Sequence, residues 1–333
     1  MTAYISGSGV ALPERVVTNE ELAVSLGLDP EWIYKASGIR SRRWASDGTT
    51  TSGLACEALT RALANAALEP GDVDYLIFGT MTPDRFVPGS SYAVQSRLGL
   101  GNIPCLDIRA TCCNLLYALQ LAKALIVSET AKRVAICLAE IQSPWLRLTP
   151  EAATISMLFG DGASALIVSN ERTLAALEVM DVVLASDGRF VDDLGVRRPG
   201  TEFGNFQKPT TPELTDEYAP RMNGQSVILQ ASRKITSACQ TVMQRNDIEI
   251  EQVRWIVPHQ ANVNLLSQVA RSLKFTLTDG VILALEQFGN TSSASMGIAL
   301  DMLRQSGAIN DADYLLLPAF GAGFTWGAGL LRA

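Results

Sequence analysis

The chain has 333 residues, a hydrophobic content of 47%, a mean hydropathy of +0.16 and a formal net charge of -7. This composition is typical of a globular protein with a large core. The acidic balance, without a run of lysine or arginine, argues against nucleic acid or an anionic membrane as a partner. No apolar stretch approaches the roughly 20 residues that cross a bilayer, and the first residues do not resemble a signal peptide.

Cysteine and histidine usage narrows the chemistry further. Six cysteines in a chain of this length do not form a disulfide framework, so we expect a reducing, cytoplasmic setting. His259 is the single histidine, which excludes a multi-histidine metal site within one chain. No CxxC pair occurs, so a zinc site built from cysteines is not expected either. The sequence therefore predicts no metal site.

Helix and strand patterns repeat along the chain at a nearly constant spacing. A helix-like run from Thr51 leads into an apolar strand from Val73, and a similar run from Val227 leads into a strand from Val253. The two strands begin 180 residues apart. Strands that are apolar along most of their length suit a central sheet covered by helices.

A second pair of segments has the same order. The strand CLDI and its turn reach Cys112, and a helix and a strand from Arg133 follow. Later, VILALEQFGN reaches Asn290, and a helix and a strand from Asp313 follow. The spacings are 178 and 180 residues, so Cys112 and Asn290 are predicted to occupy equivalent positions in two copies of one α/β unit.

The boundary between the two copies is predicted near Asn170, after FGDGASALIVSNE. The halves are residues 1–170, with the cysteine doublet, and residues 171–333, with the histidine. The stretch from Pro199 to Gly224 is rich in Pro, Gly, Thr and charge, and we predict a long surface connection there, without helix or strand. The pattern as a whole predicts an α/β fold.

Three polar residues follow predicted strand ends, where sites gather in sheets of this kind: Cys112, His259 and Asn290. A thiol at a helix start is expected to have a lowered pKa, and a thiolate attacks thioesters. A neutral histidine and an asparagine amide can both donate to one oxygen and stabilise an enolate. Each residue alone could also be structural, and this reasoning leaves open whether Cys112 or Cys113 reacts.

Four motifs occur in order along the chain: DIRATC, VPHQAN, GNTSSAS and FGAGFTWG. With GSGVALPERVVTNEEL and LFGDGASALIVS, they resemble the thiolase-fold condensing enzymes of the β-ketoacyl-acyl-carrier-protein synthase III type. The resemblance implies two duplicated α/β halves in a layered αβαβα core. Its motif register selects Cys112 as nucleophile, His259 and Asn290 as partners, and the backbone N–H groups of Cys112 and Ala322 as the oxyanion hole.

The resemblance also implies a reaction in two halves. Cys112 would take an acyl group from a coenzyme A or carrier-protein thioester, and a second thioester, often malonyl-type, would supply a carbanion. His259 and Asn290 would hold the enolate oxygen of that second thioester. Such enzymes are usually homodimers without a metal or tightly bound cofactor, so acyl thioesters are the expected substrates and the acyl carrier protein an expected partner.

Substrate-binding positions follow from the same resemblance. Trp32 matches a residue that stacks on adenine, and Val87 matches the gate at the dimer-side end of the acyl pocket. Asn262 and Gly321 are further predicted contacts. A gate smaller than the usual Phe predicts an acyl chain longer or bulkier than acetyl.

The chain also departs from the family pattern. Positions where the family commonly has basic residues for coenzyme A or carrier-protein docking are Ala36, Leu229 and Asn264 here. The residues after the nucleophile, Cys113 and Asn114, differ from the usual small residue and glycine. These departures favour a specialised, polyketide-associated enzyme, including one that joins two β-ketoacyl chains and closes a pyrone.

Several other functions share these residues. Acyl transfer to a hydroxyl or amine would also begin with acyl-Cys112, and initiation of housekeeping fatty-acid synthesis is a further alternative. A papain-like hydrolase uses Cys, His and Asn as well, but the CGSCW-type signature is absent. A scaffold with a dead site is disfavoured because all three residues are intact. We favour carbon–carbon bond formation, since simple acyl transfer has little use for an enolate-binding pair.

Overall fold

The computed structural model describes residues 1–203, 217–275, 277 and 280–333. The strands in this part of the chain are β1 (Tyr4–Ala11), β2 (Arg15–Thr18), β3 (Ser41–Trp44), β4 (Tyr75–Gly79), β5 (Cys105–Ile108), β6 (Arg133–Glu140), β7 (Gly162–Ser169), β8 (Leu177–Ser186), β9 (Leu194–Gly195), β10 (Arg221–Met222), β11 (Val253–Ile256), β12 (Tyr314–Gly321) and β13 (Thr325–Arg332).

The α-helices of the same described residues lie between these strands. They are α1 (Asn19–Leu26), α2 (Pro30–Ser37), α3 (Thr51–Asn65), α4 (Ser91–Leu98), α5 (Asn114–Val127), α6 (Ala153–Ser156), α7 (Gly224–Gln244), α8 (Val263–Ser272), α9 (Leu285–Phe288) and α10 (Ser295–Gln305). Side-chain caps define several starts: the Thr50 hydroxyl accepts from the Gly53 N–H at α3, and the Asn223 side chain accepts from the Ser226 N–H at α7.

One sheet of nine strands carries the fold, in the order β11-β12-β13-β8-β1-β7-β6-β4-β5. From β1 outward, the pairs β1–β7 and β7–β6 are antiparallel, while β6–β4 and β4–β5 are parallel. From β8 outward, β8–β13 and β13–β12 are antiparallel and β12–β11 is parallel. The same strand pattern therefore occurs twice, and the two copies join where β1 pairs with β8.

The helices complete a layered arrangement. Helix α3 packs on β1, β7 and β6, and α7 packs on β13, β12 and β8, so each covers the outer face of one copy. Helix α5 contacts strands of both copies, and α10 packs on β7 and β1, with both helices in one buried apolar cluster. Helix α3, one copy of the strand pattern, the central helices, the other copy and helix α7 follow one another as five layers, with the two copies joined in one sheet. This order confirms the predicted α/β core built from two duplicated halves. The division near Asn170 itself stays a prediction.

The equivalence predicted between Cys112 and Asn290 is wrong by three residues. A 3-10 turn, Thr111–Cys113, precedes α5, and a matching 3-10 turn, Ser292–Ala294, precedes α10. Thr111 and Ser292 both have positive φ, +53° and +47°. The residue that corresponds to Cys112 is therefore Ser293. The sequence identity between the halves is too low to align these residues, and only the backbone geometry shows which positions correspond.

Two other expectations need correction. The counterpart of β5 before Asn290 is not a full strand: it is reduced to one parallel bridge, between Val281 and Ile256 of β11, and the short helix α9 follows. The predicted connection from Pro199 to Gly224 lies partly outside the described residues. Its described ends contain a 3-10 turn, Thr201–Phe203, and the two-residue strand β10, which pairs with β9.

Candidate active site

Cys112 lies between the end of β5 and the start of α5. The Thr111 hydroxyl donates to the carbonyl of Ala322 at 3.3 Å, which ties the turn to the far end of β12. The Cys112 side chain is half-buried, and its Sγ lies 3.5 Å from the Ser292 hydroxyl. The nucleophile predicted in the first half therefore faces the turn that precedes α10 in the second half.

The neighbouring Cys113 points elsewhere. It is fully buried, and its Sγ donates to the Thr325 carbonyl at 3.4 Å. Consecutive residues in a tight turn project in different directions, so only one thiol of the doublet can face Ser292. The structure thus distinguishes the two cysteines by direction, and Cys113 packs into the core beside the candidate nucleophile.

Asn290 is held by its backbone and by its own side chain. Its N–H donates to the Leu158 carbonyl at 2.8 Å, and its carbonyl accepts from the Gly160 N–H at 3.1 Å. Its side-chain oxygen accepts from the Ser292 N–H at 2.9 Å. Because Oδ1 is occupied, the Nδ2 amide is the end of Asn290 that remains to donate to a substrate.

His259 follows β11 and is buried. Its N–H donates to the Pro318 carbonyl of β12 at 2.9 Å, which fixes the backbone. Its ring Nδ1 lies 2.8 Å from the Ser295 hydroxyl, so Nε2 is the nitrogen available to a substrate. Burial lowers the pKa of His259 to about 4, and the imidazole is therefore neutral near pH 7.

These contacts converge on residues 290–295, which we name the 290–295 turn. Ser292 lies against the thiol of Cys112 and donates its N–H to the side chain of Asn290. Ser295 contacts the ring of His259. One six-residue segment thus brings together all three residues that the sequence predicts to be catalytic.

Burial dominates the electrostatics of Cys112. Its pKa is raised to about 11 because desolvation disfavours the thiolate; the Ser292 hydrogen bond opposes this effect and the charge of Glu140 adds to it. The rise of the pKa from 9.0 to about 11 corresponds to about 3 kcal/mol against the thiolate. A helix N-terminus typically stabilises a negative charge by only about 0.3–1 kcal/mol. The expected lowering of this pKa is therefore wrong, and the thiol needs a proton acceptor when it reacts.

Gly321 lies directly against the nucleophile. A Cβ at this position would come within 2.2 Å of the Thr111 hydroxyl and 3.0 Å of the Cys112 nitrogen. A side chain does not fit, so glycine lets the end of β12 approach the Cys112 backbone. Ala322, the other predicted oxyanion donor, is the next residue and is tied to Thr111 through its carbonyl.

The remaining predicted substrate residues lie in different surroundings. Trp32 is 44% exposed on α2, and Val87 is 75% exposed in the segment between β4 and α4. Asn262 caps α8, because its side-chain oxygen accepts from the Leu265 N–H at 2.9 Å. The structure gives Asn262 a role in helix capping, and it places Val87 on the surface of its own chain.

Sequence reasoning missed one charged residue at the site. Glu140, the last residue of β6, is fully buried, and its carboxylate accepts from the Ser293 hydroxyl at 2.6 Å. Burial raises its pKa to about 7, against the effect of the hydrogen bonds from Ser293 and from the Thr82 and Thr80 hydroxyls. The available signal was a carboxylate at the end of an otherwise apolar strand, RVAICLAE.

Among the residues the structure describes, no group of three or more His, Cys, Asp or Glu side chains is arranged to hold a metal ion. Within the same residues, no helix combines the length and the apolar character needed to span a membrane. All six cysteines are unpaired.

Comparison with known proteins assigns this fold to a class. The family model "3-Oxoacyl-[acyl-carrier-protein (ACP)] synthase III" matches residues 106–188, and the model of its C-terminal part matches residues 243–333. The β-ketoacyl-[acyl-carrier-protein] synthase III of Nitratidesulfovibrio vulgaris is 36% identical over 334 residues, covering 99% of this chain and 98% of that protein. The enzyme of that name from Ruegeria pomeroyi is 37% identical over 333 residues, with the same coverage.

Solved structures support the same assignment. The 3-oxoacyl-[acyl-carrier-protein] synthase III of Aquifex aeolicus superposes with a TM-score of 0.90 at 30% identity, covering 99% of this chain and all of that one. The priming β-ketosynthase of the R1128 polyketide pathway superposes with a TM-score of 0.89 at 28% identity, covering 99% and 96%. The fold is thus that of the thiolase-like condensing enzymes. Within that class, the chain belongs to the 3-oxoacyl-[acyl-carrier-protein] synthase III family.

The raised pKa of Cys112 has a measurable consequence. We expect the rate of its modification by iodoacetamide to rise continuously from about pH 7 to about pH 10, because the thiolate is the reactive form and the pKa lies near 11. Peptide mass spectrometry at a series of pH values measures this rate, and Cys112→Ala shows how much of the signal comes from Cys113. A plateau below about pH 9 would contradict the assignment of a desolvated resting thiol.

Proposed function

We propose that this enzyme joins acyl thioesters by Claisen-type condensation through an acyl group on Cys112. The observation that carries the proposal is the convergence of Cys112, His259 and Asn290 on the 290–295 turn. A nucleophile beside two neutral donors suits a reaction that first forms an acyl thioester and then an enolate.

In the first half-reaction, the Cys112 sulfur attacks the carbonyl of an acyl thioester. A carbon–sulfur bond forms to Cys112, the bond to the donor's sulfur breaks, and the thiol proton passes to the departing thiolate, with His259 as the intermediate acceptor. The N–H groups of Cys112 and Ala322 would bind the carbonyl oxygen as negative charge develops there. The close approach of Gly321 to the Cys112 nitrogen supports this arrangement.

In the second half-reaction, a further thioester becomes the carbon nucleophile. A malonyl-type thioester loses carbon dioxide, and the electron pair of the broken carbon–carbon bond forms an enolate. Neutral His259, through Nε2–H, and Asn290, through Nδ2, would donate to the enolate oxygen. The enolate carbon then attacks the acyl carbon, the bond to Cys112 breaks, and Cys112 leaves as a thiolate that is reprotonated.

The identity of the acyl group is a finer proposal, and the residues that depart from the family pattern support it. Leu229 and Ile228 are exposed on α7 and line a groove of about 440 Å³ with Gln225, Ser232, Arg233 and Gln268. Asn264, at another position where the family commonly has a basic residue, donates to the Ala36 carbonyl at 2.8 Å. With Val87 as the gate, these substitutions favour a long or bulky acyl chain and a polyketide-type pathway, including the joining of two β-ketoacyl chains.

A second candidate is initiation of fatty-acid synthesis, which begins from a short acyl group. The names of the relatives favour it, since both curated proteins above are β-ketoacyl-[acyl-carrier-protein] synthases III. Either function takes donors on coenzyme A or an acyl carrier protein. A reducing compartment such as the cytoplasm suits a site that depends on a free thiol.

Acylation of Cys112 tests the proposal and separates the two candidates. Incubation with acyl-coenzyme A thioesters of increasing length should add one acyl mass to the protein in intact-mass spectrometry. Cys113→Ala should retain the adduct, and Cys112→Ala should lose it, because only Cys112 faces the 290–295 turn. Preference for long acyl groups supports the specialised function, and preference for acetyl supports fatty-acid initiation. The absence of an adduct with every donor would contradict both.

The enolate role predicts a selective loss in two variants. His259→Ala and Asn290→Ala should each reduce condensation about 100-fold or more, because a lost donor to a developing oxyanion typically costs this much. Asn290→Ala should still acylate Cys112 at a rate near that of the wild type. The measurement is product formation with malonyl-carrier protein beside the rate of acyl-adduct formation. Full condensation by both variants would contradict the enolate role of His259 and Asn290.

We also propose that the enzyme is a homodimer. Strand β5 ends the sheet, and Leu106 on that edge, Phe86, Val87 and Tyr92 are all exposed apolar side chains. Light scattering should give about twice the chain mass of 35.8 kDa. Leu106→Lys should shift the mass toward the monomer, and Leu174→Lys, at a fully exposed position elsewhere, should not. A monomeric wild-type protein at micromolar concentration would exclude this proposal.

A further inference from the structure

Glu140 is a fully buried carboxylate with hydrogen bonds from both halves of the chain. Its Oε2 accepts from the Thr82 hydroxyl at 2.9 Å and the Thr80 hydroxyl at 3.3 Å, and the Met81 N–H donates to both oxygens. Its Oε1 accepts from the Ser293 hydroxyl at 2.6 Å. None of the ion pairs among the described residues involves it.

Burial of Glu140 destabilises the folded protein. A carboxylate removed from water without a cation loses several kcal/mol of solvation, which hydrogen bonds only partly return. An apolar residue would suit the other side chains of β6, all of which are apolar after Arg133. A buried ionisable carboxyl group in this position therefore indicates a role in function rather than in packing.

The duplicated fold shows where Glu140 acts. Glu140 ends β6 as Gly321 ends β12, and Cys112 and Ser293 occupy the matching 3-10 turns. Gly321 lies against Cys112, and Glu140 bonds Ser293. The two contacts lie at equivalent positions of the repeat. One position has a glycine beside the nucleophile, and the other has a carboxylate that anchors the 290–295 turn.

Ser293 links Glu140 to the predicted enolate site. It immediately follows Ser292, whose N–H orients the Asn290 amide and whose φ is +47°. Two residues further, Ser295 holds the ring of His259. Fixing the Ser293 side chain therefore restricts the segment that orients both enolate donors.

The negative charge of Glu140 does not favour the acylation of Cys112. A carboxylate near Cys112 disfavours the thiolate and contributes to the raised pKa of that thiol. By charge alone Glu140 disfavours the attack of Cys112, whereas its hydrogen bond to Ser293 connects it to the turn that orients the two enolate donors.

We propose that Glu140 is a positioning residue for the condensation half-reaction, and that it acts through its hydrogen bond to Ser293 on the 290–295 turn. The inference rests on the proposed function, because it assigns Glu140 to one of the two proposed steps. It predicts that acylation and condensation respond in opposite directions when the carboxylate is neutralised.

Two variants separate the charge from the hydrogen bond. Glu140→Gln keeps the shape and removes the ionisable carboxyl group, and Ser293→Ala removes the hydrogen bond and keeps that carboxyl group. We expect Glu140→Gln to shift the pH dependence of Cys112 alkylation to lower pH, to leave acylation unchanged or faster, and to slow condensation about 10- to 100-fold. Ser293→Ala should slow condensation similarly. Because the carboxyl group remains and is ionised at alkaline pH, its alkylation profile should stay closer to that of the wild type than the profile of Glu140→Gln does.

Asp301→Asn is the matched control, because it neutralises a carboxylate on α10 that accepts from the Ser8 hydroxyl at 2.7 Å. It should change neither the alkylation profile nor the ratio of condensation to acylation. Thermal unfolding of each variant shows whether it is folded, and Ser293→Ala decides the matter if Glu140→Gln does not fold.

Wild-type condensation rates in folded Glu140→Gln and Ser293→Ala would overturn the inference, as would an equal loss of acylation and condensation with an unshifted alkylation profile. Both results presuppose a wild-type enzyme that acylates and condenses. If the wild type does neither, the proposed function itself is wrong, so the two failures are distinguishable.

Discussion

The site depends on the hydrogen bonds that the 290–295 turn makes to the first half of the chain. Through them a segment of the second half contacts Cys112, Glu140 and the residues around Leu158. The nucleophile and the two candidate enolate donors come from different halves, so no single half contains the site. The joining of β1 to β8 brings the halves together, and the turn sets the spacing at atomic scale.

Burial gives this site its electrostatic character. The same low-polarity surroundings lower the pKa of His259 to about 4 and raise those of Cys112 to about 11 and Glu140 to about 7. At rest the imidazole and the thiol are both neutral, which suits a histidine that donates a hydrogen bond and a thiol that loses its proton only on reaction. Desolvation exceeds the helix-dipole effect because the dipole acts through partial charges over one turn, whereas burial removes much of the water that would solvate the thiolate.

The duplication explains how one fold holds two different residues at equivalent places. Cys112 and Ser293 both precede a central helix, and each faces the last residue of a strand from the other half, Gly321 or Glu140. A glycine leaves room for the backbone groups that would bind an acyl carbonyl. At the equivalent position, the Glu140 carboxylate accepts from the Ser293 hydroxyl and fixes the 290–295 turn. The family assignment rests on the whole chain, while the choice of acyl group depends on a few surface and entrance residues such as Val87 and Leu229.

The sequence by itself determined the duplicated α/β architecture, the approximate position of most core strands and helices, and the three polar residues at strand ends. It could do so because apolar periodicity and residue chemistry are local properties, and because the motif register favoured Cys112. Only the tertiary structure decided that Cys113 faces the core, that Ser293 rather than Asn290 corresponds to Cys112, and that Asn262 caps a helix. It also decided the protonation of the thiol and the place of Glu140. Except for the local hydrogen bond by which Asn262 caps its helix, these features depend on contacts between residues that are more than 100 positions apart and on the removal of water from them, which no local pattern records.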